Sequence, residues 1–113
     1  MFKTDSSDIS EAGVQQLDNL ASYLQYAPQL GVELQGHADP RGSDAHNDLL
    51  SIKRASAVRD ALVKRGVNLE RIEYHGYGSR KSTAKANDLA GYAKDRKVDI
   101  SIQQPMSAVV YSH

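Results

Sequence analysis

The sequence predicts an α/β two-layer sandwich in the order β-α-β-α-β-β, with two main helices covering one face of a mixed four-stranded sheet. Three observations predict it. Two long stretches place apolar residues at helical spacing, and each ends at a Gly or Pro. Two shorter segments, at 32–39 and 98–102, alternate apolar and polar residues at period two. The 113 residues are enough for one domain with a real core and no disulfide, since Cys is absent. The domain is expected over residues 1–103, with a tail of no evident role over 104–113.

Each element has its own signal. Phe2-Lys3-Thr4 is a short strand candidate before the turn-forming Asp5-Ser6-Ser7-Asp8. Asp8 and Glu11 have capping-box spacing, with Ser10 a rival N-cap. Val14, Leu17, Leu20, Ala21 and Leu24 then recur as a helical face, so the first helix runs from about Ser10 to Ala27 and stops at Pro28 and Gly31. In the strand from Val32 to Asp39, Val32, Leu34, Gly36 and Ala38 share the buried side. Pro40-Arg41-Gly42-Ser43 breaks it. A second helix carries Leu50, Ala57, Val58, Ala61 and Leu62 inward and ends at Lys64-Arg65-Gly66. Arg71 to Tyr77 reads as a strand closed by Gly76 and Gly78. Residues 79–95 read as a polar loop with room for a turn of helix. Val98, Ile100 and Ile102 face one way in the last strand, which Pro105 closes.

Charge narrows the function classes. There are 14 Lys and Arg against 14 Asp and Glu, a formal net charge of zero. This argues against a nucleic-acid binder, which needs a cationic excess. The balance hides an asymmetry: residues 1–50 carry two positive and eight negative groups, residues 51–113 twelve and six. Halves of opposite sign can frame a ligand that bears both charges. Without Cys, thiolate zinc sites and cysteine nucleophiles are excluded. The start, Met1-Phe2-Lys3-Thr4-Asp5, is not a signal peptide. The expectation is a cytoplasmic protein or a mature fragment of a larger exported chain.

The chemistry concentrates on two motifs. Arg54 falls on the apolar stripe of the second helix, four after Leu50 and seven before Ala61. A guanidinium there is costly unless paired. Asn47 and Ser51 extend a polar strip on the same face. Asp39 ends a strand at the sheet edge where α/β proteins bind ligands. Arg54 and Asp39 could form an internal salt bridge, with Asp5 an alternative partner. They could also line one pocket, with an ammonium on Asp39 and a carboxylate forked on Arg54. His37, Asp39 and His46 are the rival constellation, a possible metal set with no further carboxylate or Cys to complete it. No nucleophile elbow or phosphate loop is present.

Four blocks in order resemble the OmpA-like domain, a peptidoglycan-binding module. They are Phe2 to Asp8 with the first helix; Gly36-His37-Ala38-Asp39-Pro40-Arg41-Gly42, similar to G-H-T-D-x-x-G; Asn47…Leu50-Ser51-x-x-Arg54-Ala55, similar to N-x-x-L-S-x-x-R-A; and Gly76-Tyr77-Gly78 with Asn87-Asp88 and Ala93 to Ile100. The resemblance covers residues 2 to about 102. It implies noncovalent binding of the peptidoglycan stem peptide at diaminopimelate, whose side chain ends in an ammonium and a carboxylate on one carbon. It implies no catalysis, no metal and no cofactor. By position in these motifs, Asp39, Arg54, Asn47, Asp5, Ala38 and Ser51 are the expected ligand-binding residues. Ala38 stands where the family usually has Thr, and the loop from Ser79 to Ala86 lacks a frequent Pro.

The resemblance further implies a periplasmic domain of a Gram-negative envelope protein, tied to a membrane only through an anchor upstream of Met1. Two other functions fit parts of the pattern: a protein-interaction domain with a degenerate pocket, and a metal-dependent hydrolase using His37, Asp39 and His46.

Overall fold

In the computed structural model, which describes residues 1–82, 84–85 and 87–103, the first helix begins where Ser10 accepts a hydrogen bond from the Gly13 N–H at 3.2 Å. Ser10, not Asp8, is therefore the N-cap. The helix α1 spans Glu11–Tyr26 and buries Gly13, Leu17, Ala21 and Leu24. Pro28 disfavours helical backbone at Ala27, which becomes the C-cap. The carbonyls left over at this end are met by Arg71, whose Nη2 donates to Leu24 and Ala27 and whose Nε donates to Leu30.

Strand β1, Gly31–Gly36, buries every second residue, and Val32 and Leu34 enter the core. The chain beyond it stays buried through Asp39 without laddered pairing, held by His37 N–H to Lys97 and Ala38 N–H to Gly78. Helix α2, Asp44–Lys64, starts on a Ser43 cap and closes at Gly66, whose φ of 94° suits glycine. Its inner face carries Leu50, Ala55, Val58 and Leu62, with Asn47, Ser51 and Arg54 buried among them. A single 3-10 turn, Leu69–Arg71, leads into β2, Ile72–Gly76.

The sheet order is β2-β1-β3, with β3 spanning Val98–Gln103. Strands β1 and β2 are parallel, Val32 opposite Ile72, and α2 is their crossover. Strands β1 and β3 are antiparallel, Leu34 opposite Ile100. The core joins Leu17 and Leu24 of α1, Val58 and Leu62 of α2, and Val32, Leu34, Ile72 and Val98 of the sheet.

Two expectations change. Among the described residues the sheet has three strands, and Phe2-Lys3-Thr4 is not a fourth. Phe2 exchanges bonds with Arg96, its N–H to the Arg96 carbonyl and its carbonyl from Arg96 Nε. Residues 3–6 then curl into a turn, Ser6 N–H to Lys3 carbonyl at 3.1 Å. The Lys3 and Ser6 carbonyls face inward, onto Arg54, rather than along a ladder. The second change is a third helix, α3, Leu89–Asp95, inside the expected loop. Asp88 caps it by accepting from Gly91 N–H, and Tyr92 is buried with its hydroxyl oxygen accepting from Asn87 N–H. The observed order among the described residues is thus α-β-α-β-α-β. The tail 104–113 lies outside the described residues.

Candidate functional site

A cavity of about 310 Å³ opens beyond the C-terminal end of β1, against the first turns of α2. The ends of three segments build it. The turn 3–6 contributes Thr4 and Asp5; the stretch after β1 contributes Ala38, Asp39, Arg41 and Gly42; α2 contributes His46, Asn47 and Leu50. This is the sheet edge where open α/β folds place ligands.

Asp39 is the acidic centre, 7% exposed. Its Oδ1 accepts from the Arg41 N–H at 3.1 Å and from Arg41 Nε at 3.0 Å; its Oδ2 accepts from Arg41 Nη2 at 2.9 Å. Arg96 Nη1 stands 3.6 Å from the same Oδ2. Burial pushes the carboxyl up, but the Arg41 hydrogen bonds and the two guanidinium charges outweigh it, so Asp39 ionises below its ordinary 3.8. Arg41 is itself held in place by the face of Tyr92, 4.7 Å from the ring centre, and by Thr4 Oγ1 at 3.2 Å.

Asn47 supplies the opposite chemistry. It is 2% exposed, and its Nδ2 has no hydrogen-bond partner among the described residues. A buried amide donor left unmet is expensive, and such groups occur where a ligand completes them. Asp5 stands at the rim with a left-handed φ of 55°, which Asp tolerates better than most residues, and its carboxylate meets His46 Nε2 at 2.9 Å.

Arg54 is wholly buried. It makes neither of the ion pairs with Asp39 or Asp5 that its position suggested. Its Nε donates to the Ser6 carbonyl at 2.9 Å, Nη2 to Lys3 at 3.0 Å and Nη1 to His37 at 3.0 Å. The Phe2 ring lies 5.2 Å beneath the guanidinium. Burial lowers its pKa to about 10, with Asp39 and Asp5 opposing that shift and Arg96 adding to it, so it is charged at neutral pH. Arg54 is therefore the hub that holds the cavity wall, gathering the 3–6 turn and the chain after β1 onto α2. Ser51 is structural as well: its Oγ donates to the Asp48 carbonyl and accepts from the Gly78 N–H, each at 2.8 Å.

Of the residues expected from sequence, the structure gathers Asp39, Asn47, Asp5 and Ala38 around the cavity and leaves Arg54 and Ser51 behind its lining. The set His37, Asp39 and His46 is dispersed. His37 Nε2 lies 3.2 Å from Asp99 with its ring stacked on Tyr77, whereas His46 pairs with Asp5. Among the described residues, the groups within metal-ligand reach of one another are instead Glu33, Glu73 and His75, on the open face of the sheet. Arg41 and Thr4 were not singled out by sequence. The one signal for Arg41 was its place two residues after Asp39 in a turn, where a side chain can fold back on an acid.

The sequence model described as the OmpA family matches residues 1–96. The chain belongs to the OmpA family. Among curated relatives, it is 38% identical over 96 residues to the peptidoglycan-associated lipoprotein of Rhizobium meliloti, covering 85% of this chain and 54% of that one. It is 37% identical to outer membrane porin F of Pseudomonas fluorescens over 90% of this chain and 31% of the porin. The chain thus spans about half the length of the lipoprotein and a third of the porin. Among solved structures, the peptidoglycan-associated lipoprotein from Burkholderia pseudomallei superposes with a TM-score of 0.85 at 35% identity, over 90% of this chain and 86% of that one. The C-terminal domain of Helicobacter pylori MotB, at 20% identity, shares the fold with a TM-score of 0.82 over 98% of this chain and 87% of that one.

Proposed function

We propose that this OmpA-family domain binds peptidoglycan noncovalently, seating the diaminopimelate of a stem peptide in the cavity, and so anchors an envelope protein to the cell wall. The observation that carries the reading is the pair of opposed groups in one small cavity: the ionised Asp39 carboxylate and the unmet Nδ2 donor of Asn47. A head group with an ammonium and a carboxylate on one carbon satisfies both. The names of the Rhizobium and Burkholderia relatives point to the same polymer.

In this reading Asp39 takes the ammonium, with Asp5 adding negative charge at the rim. Asn47 donates to the carboxylate. Arg54 shapes the Thr4–Asp5 wall and adds positive charge behind it, because it is wholly buried and gives one donor from each of its three nitrogens to main-chain carbonyls. A direct Arg54 fork on the ligand would need the 3–6 turn to open. Ala38 offers only a methyl to the cavity, and Ser51 holds Gly78 in place. Binding involves no bond-breaking and no cofactor, and the domain works in the periplasm.

Pulldown with purified sacculi tests it. Wild type should sediment with the sacculi, and Asp39→Ala and Asn47→Leu should stay in the supernatant while keeping wild-type circular dichroism. Equal retention of all three contradicts the site. Loss of wild-type binding altogether favours a protein-interaction domain on the same fold, a reading supported by the occupation of Asp39 by Arg41.

A further inference from the structure

Asp39 does not present a bare carboxylate to the cavity. An ionised carboxylate has about four acceptor positions. Arg41 fills two on Oδ1, with its main-chain N–H and its Nε, and one on Oδ2 with Nη2; Arg96 Nη1 stands near what remains, at 3.6 Å. An ammonium that reaches Asp39 finds about one acceptor position open, beside Arg96, and to make more than a single bond it takes over bonds now made by the Arg41 side chain.

That side chain is able to yield. It is 43% exposed, unlike the buried Arg54. Its guanidinium rests on the Tyr92 face at 4.7 Å and reaches Thr4 Oγ1, so it can leave Asp39 and remain at the cavity mouth. A guanidinium released there needs a new anion, and a planar fork prefers a carboxylate.

We infer that Arg41 is a specificity-determining residue that works by exchange of ion pairs: the ligand's ammonium replaces the Arg41 guanidinium on Asp39, and the released guanidinium pairs with the ligand's carboxylate. A ligand with both charges restores what it disrupts. A ligand with an amine alone breaks the Asp39–Arg41 pair and leaves Arg41 only the rim carboxylate of Asp5, which His46 already holds. Arg41 thus selects an amino-acid head group over a simple alkylamine. The inference rests on the reading of the cavity as a stem-peptide site.

The experiment is calorimetric titration of the full chain with two tripeptides, identical except for a terminal diaminopimelate or lysine. Wild type, Arg41→Gln and Asp39→Asn are compared. Wild type should prefer the diaminopimelate peptide. In Arg41→Gln the lysine peptide should bind about tenfold more tightly than to wild type, the equivalent of one competing charged pair removed, and the preference should shrink. An unchanged preference, or weaker lysine-peptide binding, overturns the exchange while leaving the cavity reading intact, provided Asp39→Asn has lost binding. Binding of neither peptide to wild type, or undiminished binding to Asp39→Asn, overturns the cavity reading and the exchange with it. Should Arg41→Gln misfold, the wild-type Arg41 Nε–H resonance decides alone. It must shift at saturation with the diaminopimelate peptide, and an unmoved resonance at saturation overturns the exchange.

Discussion

Arg54 donates from Nη1 to the main-chain carbonyl of His37 at 3.0 Å and so fastens the middle of α2 to the chain just beyond β1. With the bonds to Lys3 and Ser6, one side chain joins three segments that are far apart in sequence. Two of those segments carry the Asp5 and Asp39 sides of the cavity. The buried charge is therefore spent on geometry, and the Asp39 carboxylate in the cavity is held by a different arginine, Arg41.

Truncating Arg54 should cost stability before it costs recognition. Arg54→Ala leaves the Ser6 and His37 carbonyls without donors, takes one of two from Lys3 and opens a void over Phe2, a loss of about 3–5 kcal/mol. Arg54→Lys recovers part of it, since an ammonium cannot reach three carbonyls in the plane of a fork. Urea denaturation of the two variants and wild type checks the order. An Arg54→Ala midpoint equal to wild type contradicts the hub.

Asn47 should behave in the opposite way. Its Nδ2 is buried without a partner, so removing it relieves a cost instead of creating one. Asn47→Leu is expected to be as stable as wild type or more so by thermal melting, yet to lose sacculus binding. A variant that melts much earlier shows that the amide serves the fold.

The approach of β1 to α2 depends on a missing side chain. A Cβ on Gly36 would lie 1.9 Å from the Ser51 carbonyl oxygen, a backbone atom that cannot turn aside. Gly36→Ala should lose about 1–3 kcal/mol through forced separation of strand and helix. Chemical denaturation measures it, and an unperturbed midpoint rules out the close contact.

Asp39 sets an acid limit on stability. Its folded-state pKa lies below 3.8, so the stabilisation it provides is complete above that value and is lost as pH falls through the lower folded one. Denaturant midpoints measured down to strongly acidic pH should fall in that window for wild type. Asp39→Asn should lack this component of the fall. His37 adds a second, milder slope. Burial keeps its ring neutral, with Lys97 and Lys81 adding to that and Asp99 opposing it. Stability should therefore decline as pH drops just below 6.5, where the unfolded chain takes up the proton first.

Much of this fold was legible because its main elements are periodic. The apolar faces of α1 and α2 and the alternation in β1 and β3 carried their own phase, and Ser10, Gly66 and Pro28 marked ends. Helix α3 was not legible, since seven mostly small or polar residues show no stripe. It forms on the Asp88 cap and on the buried Tyr92, whose ring face Arg41 covers. The first strand failed for a related reason. Arg54 draws the carbonyls of Lys3 and Ser6 inward, and residue letters do not record which carbonyl a buried guanidinium will find. Arg54 itself stood out on an apolar stripe, so the oddity was visible although its partners were not. For the cavity, the motif positions of Asp39 and Asn47 located it, but the grip of Arg41 on Asp39 needed the turn geometry.

The most direct measurement is a nuclear magnetic resonance titration of the full chain with the diaminopimelate tripeptide, following the side-chain amide of Asn47. The account predicts that this amide and the backbone amides of Ala38, Asp39 and Gly42 show the largest saturable shifts, while the edge strand β2 does not move. Saturable shifts that leave the Asn47 amide unmoved, or none at all, would contradict it.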